Sequence, residues 1–465
     1  MSDMGNTGGV PAPEEISKRL AAIQEEDENP KSWDYVYDAS PVGGSTSDSG
    51  ARPSPSPEIA SSVEVLRSER SSFAEPQPLV AVIGVGYVGE HLTDVFSRCY
   101  NVLGYDVSET RVKDLSAKYS GNKNVRITSK AEDIRNASHF LISVPTLLQA
   151  DKTVDTSYLQ SALATVEEQA APGSTVVIES SVAVGMTREL LGPLARRKCL
   201  FAGMSPERVD PGRTEPPAYA IPKIISGLDD VTPDSLYAIN KLYSAAFEKV
   251  VPVSKPEVAE MTKLYENCQR MMGIAFANEM ANACIPIGID PYEVSNAAAT
   301  KPFGYMPYSP GLGVGGHCIP VNPYYLLSNS AFPLLQAASE KMYARPAEIG
   351  ERIIDELYSK RAGEDMPRVL VVGMGFKRGQ SHLVNSPGLE LVESLAKWEK
   401  VTVSFADPLV SQQALPNLTR LDDANWTAEY LEENFDMIVV AFKQDGLDFD
   451  VLNKLATVQV QMWCT

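Results

Sequence analysis

The sequence predicts an α/β protein in which two doubly wound domains are joined by a long central helix and preceded by a disordered N-terminal tail. Two segments, near Leu79 and near Met366, each place a short β-rich run directly before a glycine turn and a helical pattern. Between them, residues 256–284 contain no proline after the first residue and a single glycine, which is typical of one long helix. The length of 465 residues accommodates two to three domains.

The predicted tail covers residues 1–77 and is rich in Ser, Pro, Gly and acidic residues. Its first 75 residues contain 14 acidic and six basic side chains and little apolar periodicity, so the tail cannot bury enough surface to offset the entropy of ordering. The whole chain has a formal net charge of −19. This charge argues against nucleic acid as a partner, because phosphate binding requires basic patches.

The sequence shows no sign of a membrane span, a secretion signal or a metal site. No apolar run approaches the ~18 residues that span a bilayer, and the N-terminus lacks the basic and apolar pattern of a signal peptide. The six cysteines are scattered without a CxxC pair, and the four histidines do not pair with cysteine at metal-ligand spacing. We therefore expect a cytoplasmic protein that binds no metal and no membrane.

Residues 84–89, GVGYVG, match the dinucleotide-binding pattern GxGxxG. They follow the apolar run LVAVI and precede a helical pattern, and Asp106 ends a second predicted strand twenty residues after Gly86. This context predicts a Rossmann-like domain in which Gly84, Gly86 and Gly89 let the backbone approach a pyrophosphate at a helix N-terminus. Asp106 would accept from ribose hydroxyls and repel a 2′-phosphate, which predicts NAD rather than NADP. The alternative is a packing turn that binds nothing.

Polar residues follow the later predicted strands of the same region. HFLISV leads to Thr146, STVVIES ends at Glu179, and the loop SPER contains Glu207 and Arg208. Open parallel sheets bind their ligands at the carboxyl ends of the strands. We therefore expect the chemistry at these residues.

The predicted long helix carries a narrow polar stripe. Lys263, Asn267, Arg270 and Asn278 recur at helical intervals near one face of an otherwise apolar rod. A solvated stripe is the alternative.

After the long helix, PRVLVVGMGFK and SPGLELVESLAKW repeat the strand, turn and helix pattern, with VTVSFADP and FDMIVVAF as further strands. This predicts a second, smaller Rossmann-like domain, and a plain packing turn is the alternative.

Cys318 lies in the stretch SPGLGVGGHCIPVNP, residues 309–323. Its glycines permit positive φ and close approach of another molecule, and its prolines make the segment a rigid, irregular loop. A small apolar residue buried in a turn is one interpretation of Cys318. A nucleophile is the other, and the remaining motifs favour it.

The order of motifs resembles the nucleotide-sugar dehydrogenase family (the UDP-glucose/GDP-mannose dehydrogenase family), and within it the UDP-N-acetylglucosamine and UDP-N-acetylmannosamine 6-dehydrogenases. The shared motifs over residues 79 to about 450 are GVGYVG, VPT, SPER, K-x-x-x-N with FANE, GVGGHCIPV-x-P, and GMGFK followed by SP. The resemblance implies NAD-dependent, four-electron oxidation of a UDP-sugar CH2OH to a carboxylate without a metal. Cys318 would be the nucleophile that holds the aldehyde as a thiohemiacetal and then a thioester.

The resemblance also implies roles for other residues. Lys263 and Asn267 would donate to the developing alkoxide, and a cation such as Lys263 would favour the thiolate. Glu207 would activate water with help from Thr146. The complete expected sets are, for catalysis, Cys318, Lys263, Asn267, Glu207, Thr146 and Asn322; for NAD, Gly84, Gly86, Tyr87, Val88, Gly89, Asp106, Arg111, Thr146 and Glu179; and for substrate, Arg208, Lys263, Asn267, Gly315 and Lys377.

The expected domain functions follow the same resemblance. Residues 78–254 would bind NAD, residues 255–350 would form the central helical and dimerisation region with the cysteine loop, and residues 351–465 would bind the nucleotide of the sugar. The resemblance implies a homodimer or larger homo-oligomer built on the long helix.

Three departures from the family pattern affect these expectations. The family usually has Asp where this chain has Asn322, and an amide cannot take a proton, so roughly 10²–10⁴ in rate is at risk if that acid is a base. Gln380, His382 and Val384 replace the usual Thr, Asp and Arg, and that arginine normally reaches the cofactor. The end of the chain, ATVQVQMWCT, lacks the usual Asp and Arg, so the C-terminal domain is expected to be incomplete.

Two alternative functions therefore remain open at the level of the sequence. One is a nucleotide-sugar or NAD-binding protein that has lost efficient catalysis, which the departures favour. The other is a hydroxyacid dehydrogenase of the 6-phosphogluconate type, which needs neither Cys318 nor a second glycine-turn domain.

Overall fold

The computed structural model describes residues 78–149, 151–210, 212–359 and 365–464. The predicted disordered tail lies outside these ranges. Across the described residues, every helix is too short or too polar to cross a bilayer. The architecture is α/β, with two largely parallel sheets connected by long helices, and this confirms the predicted fold class.

The first sheet is built from the segment that follows the predicted tail. Its elements in chain order are β1 (Leu79–Ile83), α1 (Tyr87–Phe96), β2 (Asn101–Tyr105), α2 (Glu109–Lys118), β3 (Val125–Thr128), β4 (His139–Ile142), β5 (Leu147–Leu148), β6 (Val154–Asp155), α3 (Ser157–Gln169), β7 (Thr175–Ile178), α4 (Met186–Lys198), β8 (Phe201–Met204), β9 (Lys223–Gly227), α5 (Ser235–Ala246) and β10 (Val250–Pro252). β5 and β6 form a separate small hairpin.

The strand order of the first sheet is β10-β9-β8-β7-β4-β1-β2-β3. All neighbours are parallel except β8 and β9, which pair antiparallel. Parallel strands need a crossover connection, usually through an α-helix, and no α-helix lies between β8 and β9 among the described residues. The chain therefore turns back at this point.

Central helices follow the first sheet. They are α6 (Pro256–Cys284), α7 (Pro291–Ala299), α8 (Asn322–Leu327) and α9 (Pro333–Ser359). The bounds of α6 are those that its sequence predicts, and α6 packs against both α8 and α9. Of the predicted polar stripe, Lys263, Asn267 and Asn278 are buried whereas Arg270 is exposed. The solvated-stripe alternative is therefore wrong for three of the four residues.

The second sheet completes the fold. It contains β11 (Arg368–Val372), α10 (Pro387–Lys397), β12 (Thr402–Ala406), β13 (Thr419–Arg420), α11 (Ala428–Asn434), β14 (Met437–Val440) and β15 (Gln459–Met462). The order is β13-β12-β11-β14-β15, with all neighbours parallel. The atypical C-terminal segment thus supplies an edge strand, β15. The Ser386 side chain caps α10 by accepting from Leu389 N–H.

Candidate active site

The turn between β1 and α1 leaves a helix N-terminus open to a ligand. Gly84 has a φ of +83°, and a Cβ atom on Gly89 would lie 2.0 Å from the Gly84 carbonyl oxygen, so both positions require glycine. Gly86 is the N-cap of α1 without a side-chain cap. The next residues, Tyr87 and Val88, begin the helix. Their free N–H groups and the helix dipole favour an anionic group such as a pyrophosphate.

Asp106 and Arg111 hold this turn from the side of β2. The Asp106 carboxylate accepts hydrogen bonds from the N–H groups of Val85 and Ser108, both at 2.9 Å. The Arg111 Nε donates to the Val85 carbonyl oxygen at 2.8 Å, and its guanidinium pairs with Glu90. Each Asp106 oxygen keeps a lone pair for a hydroxyl donor. The turn therefore fits the dinucleotide that the sequence predicts.

A buried triad of charged groups lies at the carboxyl ends of β7 and β8. The Lys223 Nζ lies 2.7 Å from a Glu179 carboxylate oxygen and 2.8 Å from a Glu207 carboxylate oxygen, and the three side chains are at most 10% exposed. Because β9 runs antiparallel to β8, its first residue lies at the edge of the sheet where β8 ends. The strand reversal thus brings Lys223 between two carboxylates that follow parallel strands.

The triad sets different protonation states for its two carboxylates. Burial raises the pKa of Glu179 to about 7, although the Lys223 charge opposes this effect. Burial also opposes ionisation of Glu207, but the Lys223 ammonium, the Arg208 N–H and the Lys263 charge together outweigh it and lower the Glu207 pKa below its usual range. The N–H of Arg208 donates to the same Glu207 carboxylate at 2.6 Å. Glu207 is therefore an ionised base at neutral pH. The Tyr243 hydroxyl donates a hydrogen bond to the Glu179 carboxylate.

Thr146 and Arg208 are fixed by contacts with neighbouring loops and helices. The Thr146 hydroxyl donates to the Ser181 carbonyl oxygen at 2.8 Å. The Arg208 guanidinium pairs with Glu266 of α6 at 2.5 Å and donates to the Pro222 carbonyl oxygen at 2.9 Å. Arg208 therefore ties the loop after β8 to the central helix.

The loop that carries Cys318 is attached to α6 through an amide pair. The Asn267 Nδ2 donates to the Asn322 Oδ1 at 2.5 Å, and the Asn322 N–H donates to the Cys318 carbonyl oxygen at 2.9 Å. Asn322 is 1% exposed, whereas the Cys318 thiol is a free, exposed group. The interpretation of Cys318 as a buried packing residue is therefore wrong.

Lys263 lies one helical turn before Asn267 on α6, and the two side chains are buried on one face. The Lys263 ammonium is among the charges that lower the pKa of Glu207. The electrostatic field of Lys263 therefore reaches the triad, and the amide pair brings the cysteine loop to the same helix. These contacts connect a cation, an amide donor and an ionised carboxylate with the loop that carries the thiol.

The cysteine loop also packs on the glycine turn of the second sheet. A Cβ atom on Gly315 would lie 2.8 Å from the Asn385 carbonyl oxygen. Gly316 has a φ of +92° and its N–H donates to the Val384 carbonyl oxygen at 3.2 Å. On the same turn, the Lys377 ammonium lies 3.3 Å from the Asp210 carboxylate in the loop after β8. Segments that follow β11 of the second sheet therefore contact both the cysteine loop and the loop after β8.

Models of one protein family match both halves of this site. The NAD-binding domain of the UDP-glucose/GDP-mannose dehydrogenase family matches residues 78–247, and the central domain of that family matches residues 257–340. The chain belongs to the UDP-glucose/GDP-mannose dehydrogenase family. As a member of it, the chain is an NAD-dependent nucleotide-sugar dehydrogenase.

Individual members of the family resemble most of the chain. The UDP-N-acetyl-D-glucosamine 6-dehydrogenase of Pseudomonas aeruginosa is 32% identical over 361 residues, which covers 72% of this chain and 83% of the relative. The UDP-N-acetyl-D-mannosamine dehydrogenase of Pyrococcus horikoshii is 31% identical over 355 residues, covering 71% and 84%. A solved structure of the UDP-D-ManNAc dehydrogenase from that archaeon superposes with a TM-score of 0.71 at 28% identity, covering 83% and 93%. These relatives support the predicted enzyme and neither of its alternatives.

The family membership confirms NAD as the cofactor, and the individual site residues remain predictions. The structure gathers Lys263, Asn267, Asn322 and Cys318 around one helix. The Glu179 carboxylate is part of the buried triad. Its side chain therefore has no exposed surface for a direct contact with the cofactor. Among the described residues, no group of three or more His, Cys, Asp or Glu side chains forms a metal site.

The sequence interpretation missed Lys223 and Tyr325. Lys223 opens the predicted strand KIISGL, and a lysine before a largely apolar run was the available signal for a buried ion pair. Tyr325, on α8, is completely buried, and its hydroxyl has no hydrogen-bond partner among the described residues. Burial raises the pKa of Tyr325 to about 12, although the neighbouring Thr146 hydroxyl opposes this effect. No local pattern distinguishes this tyrosine from a core residue.

Proposed function

We propose that the chain oxidises the C6 hydroxymethyl group of a UDP-N-acetylhexosamine to a carboxylate, with two NAD+ consumed per sugar. The names of the relatives from Pseudomonas aeruginosa and Pyrococcus horikoshii support this class of substrate. The observation that carries the mechanism is the Asn267–Asn322 hydrogen bond, because it docks the Cys318 loop on the helix that carries Lys263. UDP-hexoses are the alternative class of substrate.

Lys263 and Asn267 stabilise the oxygen at C6. Both are buried donors on one face of α6, and no hydrogen bond or ion pair engages the Lys263 ammonium among the described residues, so it is available to an alkoxide. A preorganised donor of this kind is worth roughly 10²–10³ in rate. NAD, when bound, accepts the hydride in each of the two oxidations.

Cys318 carries the sugar between the two oxidations. The thiolate adds to the aldehyde carbon, a proton goes to the aldehyde oxygen, and a thiohemiacetal forms. Loss of a hydride from that carbon and of the hydroxyl proton gives a thioester. The thiolate is then the leaving group when water attacks the thioester. Because the aldehyde is held covalently as the thiohemiacetal, it is never released free.

Glu207 is the base that activates the hydrolytic water, with Thr146 positioned by its bond to Ser181. Its carboxylate stays ionised because the Lys223 ammonium lies 2.8 Å away. General-base catalysis of this kind contributes roughly 10²–10⁴ in rate. Glu179 affects the reaction indirectly, through Glu207, because both carboxylates pair with the Lys223 ammonium.

The parts of the chain divide this work. Residues 78–254 hold NAD through Gly84, Gly86, Gly89, Asp106 and Arg111. The central region, residues 255–350, carries the reacting groups. Residues 351–465 bind the nucleotide of the sugar, in which Lys377 pairs with a phosphate, and Arg208 and Gly315 contribute to the substrate site. Because the six cysteines have no disulfide partner in the structure, we place the enzyme in the reducing cytoplasm.

Turnover with a panel of nucleotide sugars tests the proposed function. The protein is incubated with NAD+ and, separately, UDP-N-acetylglucosamine, UDP-N-acetylmannosamine, UDP-glucose and GDP-mannose, and NADH is followed by absorbance. We expect two NADH per sugar with a UDP-N-acetylhexosamine. Absence of NADH with every sugar contradicts the proposed function.

Asp106 is expected to select NAD over NADP. Asp106→Ala removes two charge-assisted acceptors from the ribose and is expected to weaken NAD binding by about ten- to a hundredfold, with a smaller preference over NADP. Titration calorimetry with both cofactors measures the effect. Asp106→Asn is the control, because it retains an acceptor for the Val85 N–H and so preserves the turn. An unchanged NAD/NADP ratio in both variants contradicts the assignment.

We propose that the enzyme forms a homodimer through α6. One side of this helix exposes an apolar stripe of Met261, Tyr265, Met272, Phe276 and Met280, with Tyr265 70% exposed. Their spacing places them on one face of the helix, and a stripe of this kind marks a protein–protein interface.

Tyr265→Glu tests the dimer. A buried charge at the interface is expected to cost at least about 2 kcal/mol, or roughly thirtyfold in dimer affinity, so light scattering at micromolar protein should show a monomer. Tyr237→Glu on α5 is the matched control, because Tyr237 is 69% exposed, and it should leave the mass unchanged. A monomeric wild type contradicts the proposal.

A further inference from the structure

The buried triad of Lys223, Glu179 and Glu207 contains more negative charge than its one cation balances. The Lys223 ammonium pairs with both carboxylates, and these are the only ion pairs of Glu179 and Glu207 among the described residues. With both carboxylates ionised, one positive and two negative charges leave a net charge of −1 in a position almost closed to solvent. A buried charge without a partner is unfavourable, so the triad favours the uptake of one proton.

The hydrogen bonds of the triad decide which carboxylate takes this proton. Glu207 accepts from the N–H groups of Arg208 and Val209 at 2.6 and 3.0 Å, and its side chain is 10% exposed. Glu179 accepts from no backbone N–H among the described residues, and its side chain is completely buried. Hydrogen bonds to a carboxylate stabilise its ionised form, and burial opposes ionisation. Glu207 therefore stays ionised, and the proton belongs on Glu179.

The surroundings of Glu179 keep this proton exchangeable near neutral pH. Three charged or titratable groups face its carboxylate, each from a different part of the first sheet: Lys223 from β9, Glu207 from the loop after β8 and Tyr243 from α5. The Tyr243 hydroxyl donates to the Glu179 oxygen that does not face Lys223, which favours the ionised form. Burial, opposed by these donors, brings the pKa of Glu179 to about 7. Lys263, on α6, acts on Glu207 instead.

The Lys223 ammonium connects the two carboxylates directly. Its Nζ lies 2.7 Å from Glu179 Oε2, 2.8 Å from Glu207 Oε2 and 3.4 Å from the Pro206 carbonyl oxygen. An ammonium has three N–H donors, so each of them has an acceptor. Two of these acceptors are carboxylates of different proton affinity. A proton can therefore pass from one carboxylate to the other through Nζ over two short hydrogen bonds.

We propose that Glu179 is a positioning residue that stores the proton of the hydrolytic water while the thioester is cleaved. Glu207 takes a proton from the water, the water oxygen attacks the thioester carbon, and the carbon–sulfur bond breaks to release the Cys318 thiolate. The Lys223 ammonium gives one proton to Glu179 and accepts the proton that Glu207 has taken. Lys223 keeps its charge, and Glu207 is ionised again.

The stored proton leaves after the acid product does. It returns through Lys223 to Glu207, the only carboxylate of the triad with an exposed surface, and from there to solvent. The inference rests on the proposed function for the hydrolytic step.

The pH dependence of thioester hydrolysis tests this proton store. Hydrolysis requires an ionised Glu179, so its rate should rise as the pH rises through about 7 and fall as the pH is lowered. The full chain is mixed with NAD+ and UDP-N-acetylglucosamine for a single turnover, and the acyl-enzyme at Cys318 is followed by mass spectrometry after acid quenching.

Glu179→Gln removes the store and leaves Glu207 as the only carboxylate that pairs with Lys223. Glu207 then becomes a weaker base, so hydrolysis should slow about tenfold. The rise of the rate through about pH 7 should also be lost. The NADH formed before hydrolysis should keep its wild-type rate, because Glu179 does not act in the two oxidations.

Tyr243→Phe gives a second measurement that a packing role would not affect. It keeps the ring and removes the hydroxyl that favours the ionised form of Glu179. The pKa of Glu179 should therefore rise, and the pH at which hydrolysis accelerates should move up by about one to two pH units. If Glu179→Gln does not fold, this movement decides the test.

Glu260→Gln is the matched control for Glu179→Gln. Glu260, on α6, is another buried carboxylate, 1% exposed, and it accepts from the N–H groups of Gly185 and Thr187. No ion pair to Glu260 forms among the described residues. The control should therefore keep the wild-type pH profile of hydrolysis.

An infrared titration tests the store without turnover. The C=O stretching band of a protonated carboxyl group is followed in the free protein as the pH is varied through neutrality. The band of Glu179 should titrate in wild type, be absent from Glu179→Gln and titrate at higher pH in Tyr243→Phe. Identical bands in wild type and Glu179→Gln, or a wild-type hydrolysis profile in Tyr243→Phe, overturn the proposal. If the band titrates as expected but no sugar yields NADH, the proposed function is contradicted and the proton store remains supported.

Discussion

Replacing Cys318 with serine is expected to abolish formation of the sugar carboxylate. A hydroxyl at neutral pH is a poor nucleophile toward the aldehyde, and its ester is a poorer leaving group than the thioester. Loss of a covalent nucleophile is expected to cost roughly 10³-fold or more in the complete reaction. Wild type should release two NADH per sugar, because the aldehyde stays bound.

The measurement is the number of NADH molecules per sugar, together with mass spectrometry of protein and product. In Cys318→Ser, any residual turnover should stop at an aldehyde-level or covalent species. Cys199→Ser is the matched control, because Cys199 is also a free, exposed cysteine, and it should retain the wild-type rate and stoichiometry. Full-rate formation of two NADH in Cys318→Ser would assign the cysteine a structural role only.

Local patterns explain why the glycine turn and the long helix could be predicted. Gly84, Gly86 and Gly89 are required by the backbone of a single turn, and Asp106 lies at the end of the adjacent strand, so the signal is contained in about 28 residues. The bounds of α6 follow from helical periodicity without interior proline. In contrast, α9 contains Pro346, which obscured a helix that packing against α6 and α10 stabilises.

Tertiary contacts explain what could not be predicted. The position of Lys223 depends on the reversal of β9, which no local residue pattern encodes. The same reversal encloses the Glu179 carboxylate, which the sequence placed at the cofactor.

The Asn322→Asp variant is expected to have a higher kcat than the wild-type enzyme. Asn322 is 1% exposed and accepts a hydrogen bond from the Asn267 amide. Aspartate keeps this acceptor and adds a group that can take a proton beside the cysteine loop. A positioned general base contributes roughly 10²–10⁴ in rate, so we expect kcat to rise by about a hundredfold.

The sign of the pH dependence follows from the same chemistry. Only the ionised form of the new carboxyl group accepts a proton, so the gain in kcat should be lost as the pH falls through its pKa. A buried charge is costly without a partner, so the variant should also unfold at a lower temperature. Both the pH–rate profile and the melting temperature are therefore measured.

Asn278→Asp is the matched control for Asn322→Asp. Asn278 is a completely buried amide on α6, and its oxygen accepts from the Gly311 N–H at 2.8 Å, near the start of the cysteine loop rather than beside Cys318. This control places a carboxylate in an equally dry position, so it should lose stability without gaining rate. A hundredfold gain in Asn322→Asp alone would show that the amide limits the natural enzyme. An unchanged or lower kcat would mean that Asn322 serves only to dock the loop on Asn267.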